Sequence, residues 1–166
     1  MADAGYADGF KLTIHTTNGR YVNDVRLAQT VAQMLARLNI EASVQPMQLG
    51  PYFNQARNHE FSFFLVGWGH NSTDPLLVMR ETFHSTAVNN YGGWVNAEAD
   101  RLLDAAETEL DLARRQELIA GVTRLATTDA VIIPTHDQVN VWGSRRGLRY
   151  VVRRDEATLA EQFVPE

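Results

Sequence analysis

Five histidines, His15, His59, His70, His84 and His136, are the first side chains to weigh for chemistry. None stands at metal-ligand spacing from another histidine or from a carboxylate, and H-E-x-x-H is absent. Histidines scattered in this way are usually structural or surface groups. Asp100 and Asp104 lie at i, i+4 on the exposed side of an expected helix, which reads as a solvated face. His136 and Asp137 are adjacent, and neighbours on a strand point to opposite faces, so they cannot act there as an acid–base pair. With no cysteine in the chain, disulfides, thiolate metal sites and cysteine nucleophiles are excluded. No G-x-S-x-G, P-loop or G-x-G-x-x-G occurs. Gly67-Trp68-Gly69 opens like the last of these, but Ser72 holds the third glycine's place and Trp68 would block a pyrophosphate. The sequence therefore gives no positive evidence for catalysis.

A different chemistry remains, that of binding. From Phe61 to Val66 the chain is apolar apart from Ser62, and a short continuous apolar run reads as a buried strand. It breaks at Gly67-Trp68-Gly69 and passes through Asn71-Ser72-Thr73-Asp74 to Pro75. Ligands of open α/β sheets sit beyond the carboxyl ends of the strands. A large aromatic between two glycines at such an end marks a candidate binding surface. The alternative is a core strand whose end Trp68 simply covers.

Several elements must position that stretch. Phe10 to Thr16 alternates apolar and polar residues, the period of a half-buried strand, and Thr17-Asn18-Gly19 is a turn signal. Asn23 offers an N-cap with Asp24 in the first turn. Val25, Leu27, Ala28, Val31, Met34, Leu35 and Leu38 then recur at helical spacing. Asn39 ends that helix, and Ile40 to Met47 alternates again. This β-α-β order implies parallel strands with a right-handed crossover. A short helix from Gly50-Pro51, with Tyr52, Phe53 and Ala56 inward, leads to the Phe61 run. A third helix follows Pro75, and His84 to Gly93 reads as loop. Asn96 and Asp111 cap two further helices, the first burying Ala99, Leu102, Leu103 and Ala106, the second Leu112, Leu118, Ile119, Val122, Leu125 and Ala126. Ala130 to Pro134 reads as a buried strand with Val139 to Trp142 as its neighbour, and Tyr150 to Val152 as an edge strand. The expected fold class is α/β, a small mixed sheet flanked by helices.

The 166 residues suit one domain with a real core. A net charge of -5, without blocks of like charge, gives no case for a nucleic-acid partner. No apolar run is long enough to span a bilayer as a helix, and the first ten residues lack the basic and apolar regions of a signal peptide.

The order of these pieces resembles the C-terminal lobe of the family 5 extracellular solute-binding proteins, receptors of ABC importers for peptides, dipeptides, glutathione and nickel. Ala4-Gly5-Tyr6-Ala7-Asp8-Gly9-Phe10 is similar to that family's lead into a strand. The helix after Asn23-Asp24, with Leu38 and Ile40, matches its first crossover. Trp68 with Asp74-Pro75 resembles its G-W-x-x-D-x-x-D-P loop, and Asn90 to Asn96, Asp129 to Pro134 and Arg153 to Ala160 follow in order. The resemblance covers nearly the whole chain. It implies a periplasmic-binding-protein type II lobe spanning 1–166, a fragment of a longer two-lobed receptor, with 147–166 packing on the missing N-terminal lobe. It also implies hinge closure on a small-molecule or peptide ligand, delivery to a membrane permease, a periplasmic or extracellular location, and no catalysis, cofactor or metal. The ligand-contacting residues it implies are Trp68, Gly69 and Asn71, with His70, Asp74, Asn90 and Tyr91 near them, although Asp74 beside Pro75 also reads as a helix cap. In the peptide-binding members an aspartate stands where this chain has Asn71, and its carboxylate holds the ligand's α-amino group. An amide there lacks a charge-assisted contribution of about 1.5–3 kcal/mol. The other readings are a small α/β enzyme using His136, Asp137 or His70, and a stand-alone interaction module.

Overall fold

A computed structural model describes residues 1–69, 74–153, 155 and 157–166. The expected β-α-β unit is present: β1 (Phe10–Thr17), α1 (Asp24–Ala36) and β2 (Ile40–Met47). The two strands pair in parallel from Phe10 against Ile40 to Thr17 against Met47. Gly9 makes the entry possible. Its φ is 74°, and a Cβ there would lie 1.7 Å from the Asn39 carbonyl oxygen. Only glycine fits at that approach. Pro46 sits in β2, which pairs on one side only and so loses no ladder bond to the missing N–H.

The turn from β1 into α1 is built by Asp24. Its Oδ2 accepts the Thr17 hydroxyl at 2.9 Å and the backbone N–H groups of Gly19, Arg20 and Tyr21 at 2.9–3.3 Å. Oδ1 accepts the Val25 N–H. Asn23, expected as the cap, is left-handed at φ 58° and makes no side-chain capping bond. The short polar side chain one position on collects the free N–H groups instead. The inward set is smaller than the spacing implies, since Met34 on α1 and Leu38 just past its end are exposed. Two strands are too narrow to cover the helix's last turn.

After α2 (Leu49–Arg57), the Phe61–Val66 run is not a strand. It touches β1 through one bridge, His15 against Phe64, with His15 N–H on the Phe63 carbonyl at 3.0 Å and Leu65 N–H on the His15 carbonyl at 2.9 Å. Its apolar content serves a different purpose. Phe61, buried, joins Tyr52, Ala56 and Tyr91 in one core, with Met47, Phe53 and Phe64 against it, and stacks on the His15 imidazole at 4.2 Å.

A second core is helical. α3 (Pro75–Phe83), α4 (Ala97–Thr108) and α5 (Leu112–Thr128) enclose Leu76, Phe83, Ala99, Leu103, Ala106, Ile119, Val122 and Ala126. The expected caps are in place. Asn96 accepts from the N–H groups of Glu98 and Ala99, and Asp111 accepts from that of Arg114. Leu112, expected inward, is exposed on the first turn of α5.

Ala130 to Pro134 and Val139 to Trp142 are not strands. Val131 packs on the helical core, but Ile133, Val139 and Val141 are exposed, and neither segment has a strand neighbour among the described residues. β3 (Leu148–Tyr150) takes the place of the expected edge strand and pairs antiparallel with β4 (Phe163–Pro165). Parallel and antiparallel pairing thus occur in separate two-stranded sheets, and the fold is α/β.

Candidate functional site

The segment from Leu65 to Gly69 leaves the side of β1 and runs beyond it, held by two phenols from different elements. Tyr52 on α2 donates its hydroxyl to the Leu65 carbonyl at 2.7 Å. Tyr21, from the β1–α1 turn, donates to the Gly67 carbonyl at 2.9 Å. Burial pushes the Tyr21 phenol above its ordinary pKa and that of Tyr52 well above it, so both remain donors across the neutral range. These bonds occupy carbonyls that a neighbouring strand would otherwise take, which is why the apolar run stops pairing after one bridge. Gly67 is required where it stands. An added Cβ would meet the Tyr21 ring at 2.7 Å.

Trp68 follows, 36% exposed, with its ring 6.4 Å from that of Tyr91. Tyr91 in turn lies 5.8 Å from Phe53, so the partly open indole rests on a buried aromatic bed. The Arg57 guanidinium flanks this bed over Phe53 at 5.9 Å, and that of Arg20 lies over the Tyr21 ring at 5.4 Å. Such a surface offers an apolar plate with hydrogen-bonding and cationic margins. Among the described residues, no group of three metal-ligating side chains occurs.

The other expected site residues separate into distinct roles. Gly69 is exposed beside Trp68. Asn90 is buried, and its amide spans the turn before α4, donating to the carbonyls of Trp94 and His84 and accepting the Trp94 N–H. Tyr91 is buried, its hydroxyl donating to Asn89 Oδ1 and its carbonyl 3.2 Å from His59 Nδ1. Asp74 caps α3, accepting the Leu76 N–H at 3.0 Å, and takes the Arg115 guanidinium at 2.6 Å. The Leu76 N–H, then Arg115, hold its pKa below the usual carboxylate value. His70 and Asn71 lie outside the described residues. Asp100 is not merely solvated, as its spacing implied. It accepts both the N–H and the hydroxyl of Ser85, and Asp104 pairs with Arg80. His136 and Asp137 stand on an exposed segment without regular secondary structure, with the Thr135 hydroxyl 3.1 Å from the His136 ring nitrogen Nδ1.

Tyr21 and Tyr52 were not among the sequence candidates. Tyr52 reads as one more apolar-face aromatic, and nothing local shows where its hydroxyl goes. Tyr21 had a signal, because it follows a turn at the carboxyl end of β1, where ligand sites of such sheets collect.

A β-α-β unit, a helical core and an aromatic wall past the strand end make up an α/β fold of the periplasmic binding-protein class. Solved structures carry the same architecture. The Helicobacter pylori periplasmic binding protein DppA, in complex with the peptide STSA, is 24% identical with a TM-score of 0.69, over 78% of this chain and 26% of that one. The Escherichia coli murein tripeptide-binding protein MppA gives 21% and 0.71, over 78% and 25%. In sequence, residues 1–90 match the model of the bacterial extracellular solute-binding proteins, family 5 Middle. The chain belongs to that family. It is 26% identical to di/tripeptide-binding protein 1 of Pseudomonas aeruginosa over 81% of its length, and 22% identical to the oligopeptide-binding protein OppA of Bacillus subtilis over 76%. It spans about a quarter of the length of these two relatives, 26% and 24%.

Proposed function

We propose that this chain forms one ligand-contacting wall of a solute receptor that hands a peptide-like or other small polar ligand to the membrane permease of an ABC importer. The observation that carries this reading is the half-open Trp68, presented past the end of the sheet in a member of family 5 and backed by Tyr91 and Phe53. The relatives in sequence are peptide-binding proteins, which supports a site that binds. In this reading Trp68 and Gly69 face the ligand together with Asn71 and His70. Asp74, Asn90 and Tyr91 line or support that wall from behind. The opposite wall comes from a second lobe, on which residues 147–166 pack, and the receptor works in the periplasm or outside the cell.

Two experiments test this. Recovery of the encoding reading frame and its neighbours should reveal a further lobe and an export signal beside permease and ATPase genes. A gene that starts at Met1 with no transporter genes nearby would sink the reading. Titration of tryptophan emission with a peptide panel should give saturable quenching that Trp68→Ala removes. Quenching unchanged in that variant would place the ligand elsewhere.

A further inference from the structure

We propose that Tyr21 is a positioning residue of the binding wall, fixing the Gly67 carbonyl and thereby setting the direction in which Trp68 leaves the β1 edge. The inference rests on the reading of Trp68 as a ligand-contacting residue. Among the described residues, the backbone-to-backbone hydrogen bonds of this segment end at Leu65. Beyond it the Tyr21 hydroxyl on the Gly67 carbonyl is a side-chain tie reaching across 46 positions of sequence. The tie is tight as well as polar. The Tyr21 ring lies against bare backbone, with Cε1 2.7 Å and Cδ1 2.9 Å from where a Cβ on residue 67 would stand.

The anchor is itself anchored. Asp24 accepts the Tyr21 N–H together with those of Gly19 and Arg20 and the Thr17 hydroxyl, so the tyrosine projects from a turn whose shape one carboxylate fixes. Asp24 is 4% exposed, which keeps that turn in place while Trp68 stays open to solvent. The chain of contacts runs from Asp24 to the turn, from the turn to the Tyr21 phenol, and from the phenol to the residue before Trp68. The role assigned to the phenol is orientation. Its effect is that the indole is already oriented before a ligand arrives, which removes an ordering cost from binding.

The test uses the full chain labelled with 5-fluorotryptophan, whose three fluorine resonances report Trp68, Trp94 and Trp142 separately. Trp68→Phe assigns the first line. In Y21F, and in G67A where the new methyl displaces the ring, the Trp68 line should shift or broaden while the Trp94 and Trp142 lines stay. Y150F, which removes the Tyr150 hydroxyl from the Ala157 carbonyl near Trp142, should leave the Trp68 line in place. Affinity of Y21F for a peptide that the unmodified chain binds should fall about threefold to tenfold. An unmoved Trp68 line in both variants overturns the proposal. So does a Y21F chain in which all three lines move together, because Tyr21 would then support the fold at large. If the Trp68 line moves in Y21F but ignores every peptide in the unmodified chain, the latch stands and the ligand reading fails.

Discussion

Trp68 combines a supported ring with an open face, and each half has a measurable consequence. The support comes from Tyr91 at 6.4 Å and the openness from its 36% exposure. Truncation to alanine removes an aromatic contact surface from a ligand but little from the core. Trp68→Ala should weaken peptide binding by about 1–3 kcal/mol and shift the thermal midpoint little. Calorimetric titration beside a melting curve separates these, and a large fall in the midpoint with unchanged affinity would make Trp68 a packing residue. Asn71 supports an independent prediction at this scale. Asn71→Asp introduces a carboxylate at the position where the family resemblance implies one, so affinity for peptides with a free amine should rise about tenfold while N-acetylated peptides gain nothing. An equal response across both sets would put position 71 outside the site.

Elements differ in how well the sequence announces them. The α4 and α5 caps were legible because Asn96 and Asp111 each satisfy N–H groups two or three residues on, a rule local enough to read from spacing. Asn23 and Asp24 were harder, since both are good cap residues and the choice between them depends on Thr17, on the strand before. The Phe61–Val66 run failed for a similar reason. Its composition suits a strand, but Tyr52 takes its Leu65 carbonyl and Tyr21 that of Gly67 just past its end, and those partners lie 13 and 46 positions away. For Asp24, burial works to raise the carboxyl's pKa, but the Thr17 hydroxyl and the surrounding N–H groups outweigh it and leave the value below the ordinary 3.8. A depressed folded-state value means that the bonds stabilise fully above the unfolded value and are lost as pH falls through the lower one. The chain should therefore lose stability in acid below the ordinary aspartate range. Asp24→Asn should cost about 2–3 kcal/mol at neutral pH and flatten that acid slope. Urea melts at several pH values read both quantities, and parallel slopes in the two proteins would show that Asp24 does not carry the acid response.

At the scale of the molecule, the described residues on either side of Trp68 belong to different cores. Phe64 and Phe61 belong with the α/β side, and Leu76 belongs with the helical side. Gly67 is tied to the β1–α1 turn through Tyr21, and Asp74 to the helical core through Arg115. Arg115 also donates from Nε to the Ala106 carbonyl at 3.0 Å, so one side chain joins the start of α3 to the end of α4 from α5. This arrangement was invisible in sequence because nothing relates positions 74, 106 and 115 except the packing of three helices. It predicts that Arg115→Ala acts at two places at once. The ion pair is partly solvated, which limits its direct contribution, and loss of the Ala106 bond adds a desolvated carbonyl, for a total of about 1–2 kcal/mol. The more telling readout is local. Hydrogen exchange should quicken at the first turn of α3, where Leu76 N–H depends on Asp74, while the amides of β1 and β2 keep their protection. Equal acceleration in both regions would mean that the two cores unfold as one unit and that the first turn of α3 is braced by the whole fold rather than by Arg115.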